Sequence, residues 1–381
     1  MTCLSLVIIH GAGLIHRFNS FPTRVQLDVS YRQGIPLPAV TICPLHRFDV
    51  DRLKNLWLQT MGSIDTPLNS TEQYYQLADI IPIEELWSKI AYWDTEALFP
   101  MCYVGRGNHC KSVGIFQTVW TPSGTCFTYT SNLSTLSGHF NGLYLRLNIS
   151  HKLNESKDFH QWKVSIHEVG VSPWLTSSQN YMEISSHYKN FPNRSRGGTY
   201  KSQYMYTRLR PKEFIRVNHQ YQPCQSNSDA WSQSSCEMKC VEQAVISVTS
   251  CRLPYMVASS KLVPYCNRSF SVRQTEALVV QLTSENRNKL QCNCVETCTK
   301  IVYTYESESY NSDVDYNRIK IFYETALWVT VREMFSYSWI KLMCDTGNIF
   351  CLLLGVSVLS FFEMFVFFYD KMTISLCSIY Q

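Results

Sequence analysis

Asp345-Thr346-Gly347-Asn348-Ile349-Phe350-Cys351-Leu352-Leu353-Leu354-Gly355-Val356-Ser357-Val358-Leu359-Ser360-Phe361-Phe362-Glu363-Met364-Phe365-Val366-Phe367-Phe368-Tyr369-Asp370-Lys371 is the stretch that decides how this chain is read. Residues 349–369 carry one formal charge, Glu363, over 21 positions, enough helix to cross a bilayer core of ~30 Å. Within the run, Gly355-Val356-Ser357 is a small-x-small step where helices can pack backbone to backbone. An acid such as Glu363 is costly in lipid and usually faces protein or a water-filled path. A plain anchor needs none of Gly355, Ser357 or Glu363, although an anchor with incidental polar residues fits the segment taken alone.

Outward from this stretch, the cysteines give the second signal. Of 16 cysteines, Cys3, Cys344, Cys351 and Cys377 lie in or beside apolar ends, and an even set remains between Cys43 and Cys298. The same interval holds N-x-S/T sequons at Asn69, Asn132, Asn148, Asn154, Asn193 and Asn267, and none lies elsewhere. Together they place residues 18–344 in an oxidising, extracellular setting. The net charge of +4 over 381 residues, with no basic run, sets nucleic acid aside as a partner.

At the N-terminus the apolar stretch from Cys3 to Ile15 is too short for a full span. It reads as the end of a first membrane helix (residues 1–17) whose beginning is missing, as a signal-peptide core, or as a short anchor. In the middle, Leu143, Leu145 and Leu147 with Ile149, Val164 with Ile166, Tyr204 with Tyr206 and Arg208, and Ile319 with Ile321 and Tyr323 alternate as strands do. Leu53, Leu56, Trp57 and Met61 have helix spacing, and Glu84-Glu85-Leu86-Trp87 opens a second helix after Pro82. Cys236 and Cys240 stand one turn apart on a helix, and Cys292-x-Cys294 directs two sulfurs to one side of an extended segment.

Enzyme chemistry finds no support. No G-x-S-x-G, H-E-x-x-H or Walker sequence occurs, and Cys292, Cys294 and Cys298 lack the usual zinc-knuckle spacing. The histidines, including His109, His139, His167 and His219, show no paired spacing and read as surface residues. No catalytic residue, cofactor or metal site is assigned.

Several blocks then fall into one pattern. Pro38-Ala39-Val40-Thr41-Ile42-Cys43, Gly124-Thr125-Cys126-Phe127-Thr128-Tyr129 with Gly142-Leu143, Cys236-x3-Cys240, Cys292-x-Cys294-x3-Cys298-x4-Tyr303, and Asp345-x-Gly347 through Gly355-x-Ser357 to Glu363 occur in that order. The combination resembles the degenerin, epithelial sodium channel and acid-sensing ion channel family over about residues 5–370. The resemblance implies an α+β membrane protein, with two transmembrane helices flanking a disulfide-rich ectodomain of palm, β-ball, finger and thumb type. The first helix is incomplete, residues 345–369 form the second, pore-lining helix, residues 370–381 a cytoplasmic tail, and the thumb cluster spans 224–298. It further implies bridges Cys43–Cys126, Cys102–Cys110, Cys224–Cys298, Cys236–Cys294, Cys240–Cys292 and Cys251–Cys266.

By the same resemblance, Gly355, Val356 and Ser357 form a selectivity filter for permeant Na+. Cys344, Asp345 and Gly347 belong to the pore mouth and gate, and Glu363 to the inner pore. The implied assembly is a homo- or heterotrimer in plasma-membrane lipid, amiloride-sensitive and constitutive or opened by a ligand such as a peptide or proton. Two other readings of the chain are a non-conducting short subunit regulating longer relatives, and a single-pass receptor or adhesion ectodomain. Asn348 and Cys351 stand where the family commonly has glycine, Val356 fills a slot usually smaller, and the His-Gly gating motif is expected upstream of Met1.

Overall fold

A computed structural model describes residues 2–62, 69–148, 161–171, 181–185, 187–189, 199–226, 232–256, 263–284, 292–312, 316–355 and 357–379. Val356, Ile149 and the sequons at Asn154 and Asn193 lie outside them. The chain divides into two units. One joins Met1–Asp28, Ile215–Pro223 and Val331–Gln381, and the other joins Val29–Phe214 and Cys224–Thr330.

The larger unit is built on two sheets. Strand Leu143–Asn148 buries every second side chain, and its antiparallel register with strand Tyr316–Tyr323 sets Leu143 opposite Ile321 and Leu145 opposite Ile319. Strand Thr199–Ile215 lies parallel on the other side, with Met205 opposite Ile319 and Leu209 opposite Tyr323. A period of two thus gathers one apolar face. The second sheet runs in the order Tyr181–Ser185, Gln161–His167, Ala39–Pro44, Gly124–Ser131, Gly114–Thr121. Its Val40, Ile42, Phe127, Trp162, Val164 and Ile184 share one core with the first sheet's leucines and isoleucines.

Gly124 shows why its block needs glycine. Its φ is +107°, and a Cβ there would overlap the backbone carbonyl of Arg47.

A second core is helical. Asp49 caps helix Val50–Met61 by accepting the N–H groups of Asp51 and Arg52. Leu53 and Trp57 are buried, while Met61, at the same spacing, falls at the helix end and is 42% exposed. Helix Ile83–Ile90 buries Ile83, Leu86, Trp87 and Ile90, a stripe that packs with helices Ser70–Ala78, Gln233–Thr249 and Ser269–Ser284. Fully burying a side chain of that size stabilises by roughly 1.5–3 kcal/mol.

Six disulfides close within this unit: Cys43–Cys126, Cys102–Cys110, Cys224–Cys298, Cys236–Cys294, Cys240–Cys292 and Cys251–Cys266. Cys236 and Cys240 do lie on helix Gln233–Thr249. The segment holding Cys292 and Cys294 is irregular and not a strand, because the Cys294 N–H turns back to the Cys292 carbonyl at 2.8 Å.

One histidine expectation needs correction. His167 is buried, whereas His139 keeps partial exposure beside aromatic rings. His167 Nε2 lies 2.8 Å from Thr41 Oγ1, which is 2.7 Å from Thr128 Oγ1, and His167 Nδ1 lies 3.0 Å from the Glu168 carbonyl. With Nδ1 donating to that carbonyl, Nε2 accepts from Thr41 and the hydroxyl chain closes on neutral imidazole.

In the smaller unit, helix Thr2–Asn19 packs along helix Trp339–Leu354, with Val7 and Leu342 buried and Phe18 edge-on to Trp339 at 6.1 Å. Helix Val358–Ile379 follows. Among the described residues no helix is long and apolar enough to cross a membrane. The apolar run 349–369 is divided by a break after Leu354, and the later helix also takes in Asp370 and Lys371.

Candidate functional site

The segment singled out in the sequence starts at a well-made cap. Ser338 Oγ accepts the Lys341 N–H at 3.3 Å and begins helix Trp339–Leu354. Just before it, the buried Tyr337 donates its hydroxyl to Asp345 Oδ2 at 2.8 Å, reaching two turns along the helix. The Arg17 guanidinium lies 5.0 Å from the centroid of the Tyr337 ring. Asp345 is therefore held by a phenol and is not a loose charge at the helix surface.

The break has a local cause. Gly355 adopts the left-handed conformation (φ 65°, ψ 16°) and its N–H returns to the Cys351 carbonyl at 3.0 Å, ending the first helix. Two residues later Ser357 starts the next one. Its Oγ accepts the Ser360 N–H at 3.3 Å, while Ser360 Oγ accepts the Ser357 N–H at 3.3 Å. This reciprocal box satisfies two donors that a helix start leaves over. Gly355 and Ser357 are thus the stop and start of two helices inside one apolar run.

A helix end and a helix start meet here with their backbone groups uncovered by helix bonds. The last carbonyls of the first helix carry partial negative charge and lack intrahelical partners. Such an arrangement can offer oxygen to a small cation. Cys344 is exposed and outside any disulfide, and Gly347 has open space where a Cβ would stand. Glu363 projects from the second helix among exposed Leu359, Phe362 and Phe365.

Sequence reading missed the aromatic hinge behind these helices. Phe21 has φ 47°, an uncommon conformation for a bulky residue, and turns the chain from helix Thr2–Asn19 into strand Thr23–Tyr31. Its ring lies 6.2 Å from His219, 6.2 Å from Tyr221 and 6.1 Å from Phe335. Ser336 fastens the turn, its N–H and hydroxyl both donating to the Pro22 carbonyl at 2.7 and 3.0 Å. The clustering of Phe18, Phe21 and Pro22 at a helix end was the available signal, but its partners are about 200 residues away at His219 and Tyr221 and 314 at Ser336.

Of the described sequons, Asn69, Asn132 and Asn267 are exposed. Asn69 Oδ1 accepts the Glu72 N–H at 2.8 Å and caps helix Ser70–Ala78. The Asn148 amide nitrogen, the atom that would carry a glycan, donates to the Ala97 carbonyl at 2.9 Å.

A family model described as amiloride-sensitive sodium channel matches residues 1–367, and the chain belongs to this family. Its members are ion channels and not enzymes. Among curated relatives, acid-sensing ion channel 1A of Danio rerio is 22% identical, the match covering 95% of this chain and 80% of the relative. Acid-sensing ion channel 1 of Gallus gallus is 21% identical over 99% of this chain and 79% of its own length. Acid-sensing ion channel 2 of Homo sapiens is 21% identical over 96% and 79%. A cryo-EM structure of a proton-activated chloride channel aligns at a TM-score of 0.34 and 6% identity, over 97% of this chain and 95% of that one.

Proposed function

We propose that the chain is a pore-forming subunit of an amiloride-sensitive sodium channel in the plasma membrane. Two membrane-inserted helical segments, Thr2–Asn19 and the pair Trp339–Leu354 with Val358–Ile379, would flank the disulfide-stapled extracellular unit. The observation that carries this reading is the capped interruption at Gly355 and Ser357 inside an apolar run. Non-helical backbone at membrane depth is tolerated where it lies within protein or lines water. Three chains around an axis, homomeric or with related subunits, would converge backbone and hydroxyl oxygens from Gly355, Val356 and Ser357. These would replace part of the hydration shell of Na+. Exposed Leu352, Leu359, Phe362 and Phe365 supply apolar surface for lipid or neighbouring subunits. Asp345 and Glu363 would raise the local cation concentration on either side. Cys344 and Gly347 keep the upstream helix face small, as a moving gate requires.

The relatives are named for acid sensing, so a proton is one stimulus in keeping with the family, and a peptide is another. Whole-cell recording from cells expressing the chain, alone and with related subunits, tests the reading. The expected result is an inward Na+ current blocked by extracellular amiloride. Surface expression without such a current in any combination would overturn the pore-forming role.

A further inference from the structure

The geometry points to a binding site for a small organic anion bearing an aromatic ring, on the outer face of the large sheet in the extracellular unit. That face is set by register. Met205, Thr207, Leu209, Ile319 and Ile321 turn into the core. The alternate residues Tyr204, Tyr206, Arg318, Lys320 and Phe322 therefore turn outward, with Tyr204 opposite Arg318 and Tyr206 opposite Lys320.

A cavity of about 510 Å³ opens on this face, lined by the rings of Tyr204, Tyr206, Tyr310, Phe322 and His139 and by the Arg208–Glu308 ion pair. Its volume lies within the ~300–1,000 Å³ range of small-molecule sites. The Tyr204 and Tyr206 ring centroids are 4.2 Å apart, Tyr310 meets Tyr206 edge-on at 5.7 Å, and His139 lies 5.1 Å from Tyr206 and 5.3 Å from Phe322. These rings favour a flat aromatic guest.

The charges select its sign. At one end Glu308 is committed, bound by Arg208 and by the Tyr310 hydroxyl at 2.8 Å. At the other end, just outside the lining, Lys320 Nζ stands 3.4 Å from the lining residue His139 at Nδ1 and 5.4 Å from the Phe140 ring centroid, and among the described residues it has no carboxylate partner. Arg318 lies 4.5 Å from the Tyr204 centroid on the same face. Burial, and then the Lys320 charge, hold the His139 imidazole below its usual range, and burial lowers Lys320 too. A carboxylate or sulfonate at the cavity mouth, bridging the Lys320 ammonium and the His139 ring edge, would relieve both, while a cation there would meet the Lys320 charge. The occupant is therefore an aromatic acid and not an aromatic amine.

Photolabelling tests this without any ion current, so its outcome is separate from that of the channel reading. Full-length chain is irradiated with 4-benzoylbenzoate, and adducts are located by peptide mass mapping. Adducts are expected within residues 199–215, 299–312 or 316–323. Labelling by uncharged benzophenone, or by a trimethylammonium analogue, should be several-fold weaker. Lys320→Gln should lower labelling about tenfold at subsaturating probe, as loss of a charge-assisted contact does, while Tyr206→Phe keeps it within about twofold. Adducts only elsewhere, equal labelling by the neutral or cationic probe, or an unaffected Lys320→Gln variant with native disulfides would each overturn the site.

Discussion

The Tyr337 hydroxyl donates to Asp345 Oδ2 at 2.8 Å, tying the residue before a helix to a carboxylate two turns along it. The Tyr337 side chain is buried while Asp345 is partly exposed. Tyr337→Phe removes the donor and should lower the thermal unfolding midpoint of the purified chain. An unchanged midpoint would show that Asp345 is held by other means.

The ladder of bridges in the larger unit is nested: Cys224–Cys298 encloses Cys236–Cys294, which encloses Cys240–Cys292. Opening the 58-residue separation between Cys236 and Cys294 in an otherwise unbridged chain would cost about 4 kcal/mol by loop entropy. With its neighbours intact, the freed ends stay only a few residues apart. Replacing Cys236 and Cys294 together by serine should thus cost less than about 2 kcal/mol. Replacing all six cysteines of the ladder should cost more than about 4 kcal/mol, read by denaturant unfolding. Equal losses in the two variants would contradict nesting as the source of robustness.

Arg47 joins the sheets to the helical core. Its guanidinium bonds Glu276 at 2.8 Å and lies 4.9 Å from the Trp87 ring centroid, and Tyr75 donates to Glu276 Oε2 at 2.8 Å. Burial, followed by the Glu276 charge, pushes the Tyr75 phenol up to about 12, so it stays a donor at neutral pH. Removing one partner of a mostly buried pair leaves a stranded charge. Because Arg47 keeps some exposure, Glu276→Ala should cost about 2–3 kcal/mol, less than a fully buried pair. A double-mutant cycle with Arg47→Met measures the coupling, and a coupling near zero would remove Arg47 as a tie.

His167 gives the larger unit a pH dependence with a definite sign. Burial depresses its folded-state pKa below 6.5, only partly offset by its bond to the Glu168 carbonyl. The unfolded chain then binds the proton first, so stability is present above about pH 6.5 and is lost as pH falls from there through the lower folded value. Glu168, raised by its own burial, acts oppositely in the range just above 4.5. His167→Gln should flatten the fall in unfolding midpoint below pH 6.5. A fall as steep as in the parent would assign it to other groups.

Much of this was legible in the chain because it is local. Leu143, Leu145 and Leu147 alternate, Ile319 and Ile321 do likewise, and strand register brings the two sets together. Gly355, with Ser357 two and Ser360 five residues later, also spells a helix stop and start, but the 21-residue, largely apolar run hides that signal when only hydropathy is weighed. His167 was opaque for another reason. Its partner Thr41 is 126 residues away, and only the pairing of strands Gln161–His167 and Ala39–Pro44 makes it a core residue. The same holds for Phe21 and His219, which no sequence spacing relates.

In the proposed function, the break between the two helices is the place where ions are chosen. Bi-ionic reversal potentials under Na+ and K+, recorded for the parent, Gly355→Ala and Ser357→Cys, test it most directly. A lowered preference for Na+ over K+ in both variants, with amiloride-blocked current retained, is the predicted result. Identical reversal potentials in all three would contradict the account and move the filter elsewhere in the chain.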